Sequence, residues 1–497
     1  MRTLLVLLWA SLLPLAGLAG PTDPIVLERP DDTRGEAQIP GFRTLADLPA
    51  PYVDEEFFIA GEATVYTYEE EPRRGVVIPR DEGVPYRTRI LVRRPADAAD
   101  ANGTVVIEWW NSTAGFDTAP TWDASSDFFA REGWTYVGIT NSNTSIDFLR
   151  GRCLLAGILP VAACRDRYET LSMPENGQAY DVVSQLVHAM REGGVSSPLP
   201  PETPVERVFH TGQSQQGASV ITYASDFHFP GNDGYFPQVA ASGRPINFAA
   251  PTCGSDGAPP YPDCTPALEG GDRFVRTDLP VPVVHVLSET DVASPFGGIA
   301  QGSRQADTRT YRYYEMAGAT HVAIHRRVDV IPGVLRLREA CLNRLNTHSD
   351  GPIFGAYLMN AMWKNLERQV RDGVPPPKGK VIEIEDGAIA RDEFGNALGG
   401  LRLPEMDLPV ATYQPNNTVD VDAIPPILVP AIPLLDLFCR LTGSVFPFDA
   451  ETLAELYPSG RRYEKRYRQR LVNLVARRHL LPEDAAKLEA ALQAPVP

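Results

Sequence analysis

The stretch Arg207-Val208-Phe209-His210-Thr211-Gly212-Gln213-Ser214-Gln215-Gln216-Gly217-Ala218 constrains this chain more than any other. A β-type run from Val205 to His210 enters a tight Gly-x-Ser turn. A helix-like run, Ala218-Ser219-Val220-Ile221-Thr222-Tyr223, leaves it. The sharp turn lifts the serine hydroxyl above the strand ends, with the next helix N-terminus beneath it. Partial positive charge there favours a developing oxyanion. The second glycine stands three residues after Ser214; the position two residues after it is Gln216.

Around this turn the chain alternates strand-like and helix-like runs. Branched or alternating runs predict strands at Ala63–Tyr68, Arg87–Val92, Thr104–Trp109 and Trp134–Thr140. Helices are predicted at Trp122–Arg131, closed by Glu132-Gly133, and at Ala179–Arg191. Beyond the turn come strand candidates at Pro245–Ala249, Val281–Leu287 and Thr310–Met316, then a helix at Phe354–Arg371. A hairpin (Lys380–Glu385 with Ala388–Asp392) and a charged helical tail, 450–492, follow. This rhythm is the βαβ pattern of an α/β protein with a mostly parallel sheet flanked by helices. Residues 20–55, rich in Pro, Asp and Gly, read as an irregular surface arm. Segments 141–177 and 251–278 lack clear periodicity and read as long insertions. For 141–177, a core-packing loop and a cover over a site both fit.

Residues 1–19 read as a secretory signal: Arg2, the apolar core Leu4–Leu15, then small residues at Gly17 and Ala19, with cleavage expected after Ala19. An N-terminal membrane anchor is the alternative, but the apolar run is short for a stable span. The expectation is therefore one secreted or periplasmic domain over 20–497. The net charge of -17 argues against nucleic acid or anionic membrane as partners. The 6 cysteines of an exported chain read as disulfide candidates. Locality suggests Cys153–Cys164, Cys253–Cys264 and Cys341–Cys439. No Cys-x-x-Cys or Cys-His cluster points to a metal site.

A serine hydroxyl needs a base to take its proton, and an imidazole base needs a carboxylate to hold its tautomer. Ser214 is the candidate nucleophile. Asp291, in Ser288-Glu289-Thr290-Asp291, is the candidate acid, with Glu289 the alternative. His321, in Ala317-Gly318-Ala319-Thr320-His321, is the candidate base, with His325 as competitor. Each follows a predicted strand, where parallel sheets keep their sites. The His-x-x-x-His pair lacks the glutamate of a zinc protease, because Val322 follows the first histidine. His285, inside an apolar strand, reads as a core residue. The oxyanion would be held by the backbone N–H of Gln215 and by one from the loop after Trp110, at Asn111 or Ser112. No cofactor motif is present: Gly212-x-x-x-x-Gly217 lacks the Lys-Ser/Thr of a phosphate loop.

Together these segments resemble the exported, mostly bacterial "alpha/beta hydrolase domain" proteins, relatives of serine esterases. The carriers are Trp109-Trp110-Asn111-Ser112-Thr113, Gly133-Trp134-Thr135-Tyr136-Val137-Gly138 and Gly212-Gln213-Ser214-Gln215-Gln216. Ser288-Glu289-Thr290-Asp291-Val292, Ala317-Gly318-Ala319-Thr320-His321 and Gly395-Asn396-Ala397-Leu398-Gly399-Gly400-Leu401-Arg402-Leu403-Pro404 complete them. The resemblance implies an α/β-hydrolase fold with a Ser–Asp–His triad, in a family where a non-glycine follows Gly-x-Ser-Gln. The expected activity is a serine hydrolase, carboxylesterase-like, cleaving small-molecule carboxylic esters through an acyl-enzyme on Ser214. A peptidase or amidase variant and a catalytically silent fold that acts as a binding or envelope protein are the alternatives.

Overall fold

Nine strands form the main sheet of the computed structural model, which describes residues 23–69, 76–151, 154–155, 159–160, 166–247, 274–293, 302–322, 329–331, 335–346 and 355–496. They are β1 (Val26–Glu28), β2 (Tyr52–Tyr68), β3 (Val77–Pro95), β4 (Thr104–Trp109), β5 (Thr135–Ile139), β6 (Arg207–Gln213), β7 (Gly234–Gln238), β8 (Val283–Ser288) and β9 (Tyr311–Met316). Their order across the sheet is β1-β2-β3-β5-β4-β6-β7-β8-β9. From β5 to β9 every pairing is parallel; β1, β2 and β3 add an antiparallel flank. The expectations for 1–19, Cys153, Cys164, Cys253, Cys264 and His325, and most of 251–278, lie outside the described residues.

All residues of β4, β5, β7 and β8 are buried, as befits strands covered on both faces. The pleat sends alternate side chains to opposite cores. Val105, Ile107 and Trp109 pack on one side with Val182, Val183 and Leu186 of helix α2 (Ala179–Glu192). Val106, Phe209 and Phe236 pack on the other with Phe128 and Phe129 of α1 (Pro120–Glu132) and Trp363 of the long helix Gly355–Asp372. The C-terminal helices Gly460–Ala476 and Pro482–Ala490 add Tyr463, Tyr467, Leu471 and Leu488 to this second core.

Helix α1 shows how local chemistry ties the sheet to the site. Its N-cap residue, Ala119, has no side chain able to accept a hydrogen bond. Buried Glu108 of β4 does so instead, accepting from Thr121 N (2.7 Å) and Trp122 N (3.0 Å). Burial pushes the Glu108 carboxyl up to about 7.

The sequence-based strands differ from the structure in three places. β2 and β3 run 17 and 19 residues, far beyond Ala63–Tyr68 and Arg87–Val92. Their outer halves carry cross-strand ion pairs, such as Arg93–Asp54 at 2.9 Å, that hide any hydrophobic alternation. The arm at 20–55 contributes β1, which pairs with Phe58–Ala60. The predicted strand at 245–249 forms none through Asn247. Its place in the sheet is taken by β7, which the sequence conceals because Pro237 sits inside the run, opposite Gly212.

Candidate active site

Ser214 sits between β6 and helix α3 (Gln215–Asp226), at φ 57 and ψ -118. A non-glycine residue held there is strained, and the surrounding contacts must over-determine it. The Ser214 N–H donates to the Gln238 carbonyl at the end of β7 (2.9 Å). Two close approaches fix the glycines. A Cβ on Gly212 would lie 2.6 Å from the Gln216 backbone, and one on Gly217 would lie 2.6 Å from the Gln238 carbonyl. The glycine three residues after the serine thus lets α3 pack onto β7. The position before it is left free for Gln216, which is buried.

β6, β8 and β9 deliver Ser214, Asp291 and His321 to the same, C-terminal edge of the sheet. His321 Nδ1 lies 2.6 Å from Asp291 Oδ1, and both side chains are buried. The other oxygen of Asp291 accepts from Ser288 N (2.8 Å) and Ser288 Oγ (2.6 Å), so the carboxylate is oriented before it meets the ring. Thr290 Oγ1 accepts the His321 N–H at 3.1 Å. Gln213 donates from Nε2 to the His321 carbonyl at 2.6 Å, which ties the residue before Ser214 to the histidine loop.

Glu289 faces elsewhere. It accepts the Gly318 N–H at 2.7 Å and pairs with Arg391 at 3.0 Å. Burial raises its carboxyl, and the Arg391 charge opposes that rise. The motif 395–404 supports the same region. Ala317 N donates to Leu401 O (2.9 Å), and Leu401 N donates to Glu315 O (2.7 Å). His285 is a satisfied core residue: its ring nitrogens meet Tyr311 Oη (3.0 Å) and Ala240 O (2.6 Å).

On the opposite side of Ser214, the loop after Trp110 closes as a bridge between Asn111 and Thr118. The N–H of Asn111 is engaged there, donating to Thr118 O at 3.1 Å. Of the two expected loop donors, Asn111 is therefore corrected: its side-chain amide braces the elbow by donating to Gln213 O at 2.9 Å. Ser112 Oγ donates to Gln215 Oε1 at 2.9 Å, joining the loop to the first residue of α3. The N–H of Gln215, at the first helical position, has no intrahelical acceptor. Arg89 holds the loop from below, with its guanidinium 5.2 Å from the Trp110 ring and 3.0 Å from Asp117.

Sequence reasoning missed Gln213, Ser288, Thr290 and Gln238. The first three stand inside the motifs it singled out, but their partners come from distant parts of the chain. Among the described residues there is no group of three His, Cys, Asp or Glu placed to hold a metal ion. Nor is any described helix long and apolar enough to cross a membrane.

The expected pair Cys341–Cys439 is a disulfide that links positions 98 residues apart. The segments it joins carry the histidine loop: Asn346 Nδ2 donates to Gly318 O, and Val322 N donates to Leu441 O. Replacing both cysteines by serine is expected to lower stability by about 2–5 kcal/mol. The check is the denaturant midpoint of the double variant against the parent; an unchanged midpoint would show that the bridge carries no stability.

The alpha/beta hydrolase domain family model matches residues 27–490. None of the curated proteins is significantly similar to the chain. Solved structures that align with it include the poly(3-hydroxybutyrate) depolymerase of Bordetella parapertussis (15% identity, TM-score 0.26, 50% of this chain and 68% of that one). Est1E of Butyrivibrio proteoclasticus aligns at 13% identity and TM-score 0.28, over 52% of this chain and 90% of that one. An alpha-beta serine hydrolase homologue from Coxiella burnetii aligns at 12% and 0.26, over 48% and 85%.

Proposed function

The chain belongs to the alpha/beta hydrolase domain family, and from that premise we propose that it is an exported serine hydrolase that cleaves carboxylic esters through an acyl-enzyme on Ser214. The observation that carries this reading is the 2.6 Å contact between His321 Nδ1 and Asp291 Oδ1, in a loop tied by Gln213 to the strained Ser214 turn. With Nδ1–H held by Asp291, the other ring nitrogen is the one that takes the Ser214 proton. Ser214 Oγ attacks the ester carbonyl, and the N–H groups of Gln215 and Ser112 hold the oxyanion. His321 returns the proton to the leaving alcohol, and water then releases the acid by the same route in reverse.

A fluorophosphonate probe labels an activated serine. Labelling of Ser214, with turnover of p-nitrophenyl butyrate, is the expected result. A folded protein that neither labels nor turns over would favour a silent binding fold. Faster cleavage of the matching anilide than of the ester would move the assignment to amides.

Export rests on residues 1–19 and is consistent with the Cys341–Cys439 disulfide, a bond that persists in oxidising compartments. N-terminal sequencing of the exported protein is expected to begin at Gly20; retention of Met1 would remove this part of the proposal.

A further inference from the structure

Two side-chain hydrogen bonds join the loop after Trp110 to the elbow, one to the residue before Ser214 and one to the residue after it. Asn111 Nδ2 donates to Gln213 O at 2.9 Å, and Ser112 Oγ donates to Gln215 Oε1 at 2.9 Å. The second bond joins the two residues whose backbone N–H groups receive the oxyanion in the proposed mechanism. Neither of those N–H groups donates to any described residue.

The two donors are carried by very different parts of the fold. Gln215 opens α3, a helix fixed on β7 by the close approach of Gly217 to Gln238. Ser112 stands on a loop whose other hydrogen bonds mostly close on the loop itself. Asn111 N donates to Thr118 O (3.1 Å), Thr113 N to Asn111 Oδ1 (2.9 Å) and Gly115 N to Ser112 O (2.9 Å). Those bonds hold the shape of the loop and leave its distance from α3 open. Arg89 and Thr140 grip its far end through Asp117, at 3.0 and 2.5 Å. Among the described hydrogen bonds, only Asn111–Gln213 and Ser112–Gln215 tie the loop to the elbow, and only the latter spans the two donors. Donors of this kind act when they lie about 2.7–3.1 Å from the oxyanion, so their separation has to be held closely.

We propose that Ser112 and Gln215 are positioning residues: the bond between their side chains sets the separation of the two backbone donors. The proposal rests on the hydrolase reading and adds to it a role for the side chain that follows the nucleophile. These side chains act through N–H groups that meet a charged oxygen only as the tetrahedral intermediate forms. Losing the bond therefore weakens the transition state more than the bound ester, and the effect falls on kcat. The turn itself should survive, because Ser214 N still donates to Gln238 O and Asn111 still holds Gln213 O.

Gln215→Met and Ser112→Ala each remove the bond and leave both backbone N–H groups in place. Each is expected to lower kcat on p-nitrophenyl butyrate by about 10- to 100-fold, with KM within about threefold of the parent. Active sites are counted by fluorophosphonate labelling carried to completion, which keeps any loss of folded protein out of kcat. The double variant should lose about as much as either single one, since the same bond is missing in all three. Butylboronic acid gives a readout without turnover: its tetrahedral adduct on Ser214 puts an oxygen where the oxyanion would sit. Its affinity is expected to fall by about 10- to 100-fold in each variant. A kcat within about twofold of the parent in either single variant, losses that multiply in the double variant, or a change confined to KM overturns the proposal. In those cases the parent still labels and turns over, and the hydrolase reading stands. A parent that neither labels nor turns over the ester removes that reading, and this proposal with it.

Discussion

Ser214→Ala is expected to lower kcat on p-nitrophenyl esters by about 10⁴-fold or more, and to abolish labelling by a fluorophosphonate. The hydroxyl is the atom that forms the acyl-enzyme in the proposed mechanism, so no neighbouring group can replace it. Its removal should leave the fold in place. The backbone anchor of this residue, the bond from Ser214 N to Gln238 O at 2.9 Å, does not use the side chain. Combining Ser214→Ala with His321→Ala should add little to the loss, because the two groups act as a unit. Turnover within about tenfold of the parent, in protein with an unchanged unfolding midpoint, would remove Ser214 from the mechanism.

Asp291→Asn and Glu289→Gln should separate the two candidate acids. In Asp291→Asn the new amide would present either an N–H or a neutral oxygen to His321 Nδ1, and the tautomer that accepts the serine proton would no longer be enforced. A loss in kcat of about 10⁴-fold is the expected size of that effect. Part of the loss could come from disturbed packing, since Asp291 Oδ2 also accepts two bonds from Ser288. The unfolding midpoint measures that part. For Glu289→Gln the expectation is reversed: kcat falls by less than about tenfold, while stability drops by about 1–3 kcal/mol. The reason is that Glu289 serves Gly318 N and Arg391 rather than the imidazole. A larger loss of kcat in Glu289→Gln than in Asp291→Asn would exchange the two roles.

Much of this site is legible in the sequence. The Gly212-x-Ser214 turn, the apolar run ending at Leu287 and the run ending at Met316 are local patterns, and each marks a strand end. Strand ends in a parallel sheet share one edge, so the order Ser, Asp, His follows from patterns within short windows. The α/β architecture is legible for the same reason, since β4, α1 and β5 follow one another with clear periodicity. β7 is not, because Pro237 and Gly234 stand where a strand signal needs branched apolar residues. The length of β2 and β3 is also obscured, because charged residues paired between the strands, such as Arg93 and Asp54, interrupt the apolar pattern around the buried Phe57, Phe58 and Ile59.

What the sequence by itself determined was which residue types reach the edge of the sheet, because turn chemistry and hydrophobic periodicity act over a few residues. Only the tertiary structure decided which of them meet. Glu289 and Asp291 stand two residues apart on the short helix Glu289–Ala293, about 200° around its axis, so only one of them can face His321. Asn111 and Ser112 are adjacent, yet the bridge to Thr118 engages the N–H of the first alone. Gln213 joins the nucleophile turn to the histidine loop across 108 positions. Ser112 and Gln215 meet side chain to side chain across 103 positions. Each of these pairings depends on the direction of a side chain, and that direction is set by packing between segments too distant in sequence for any local pattern to record.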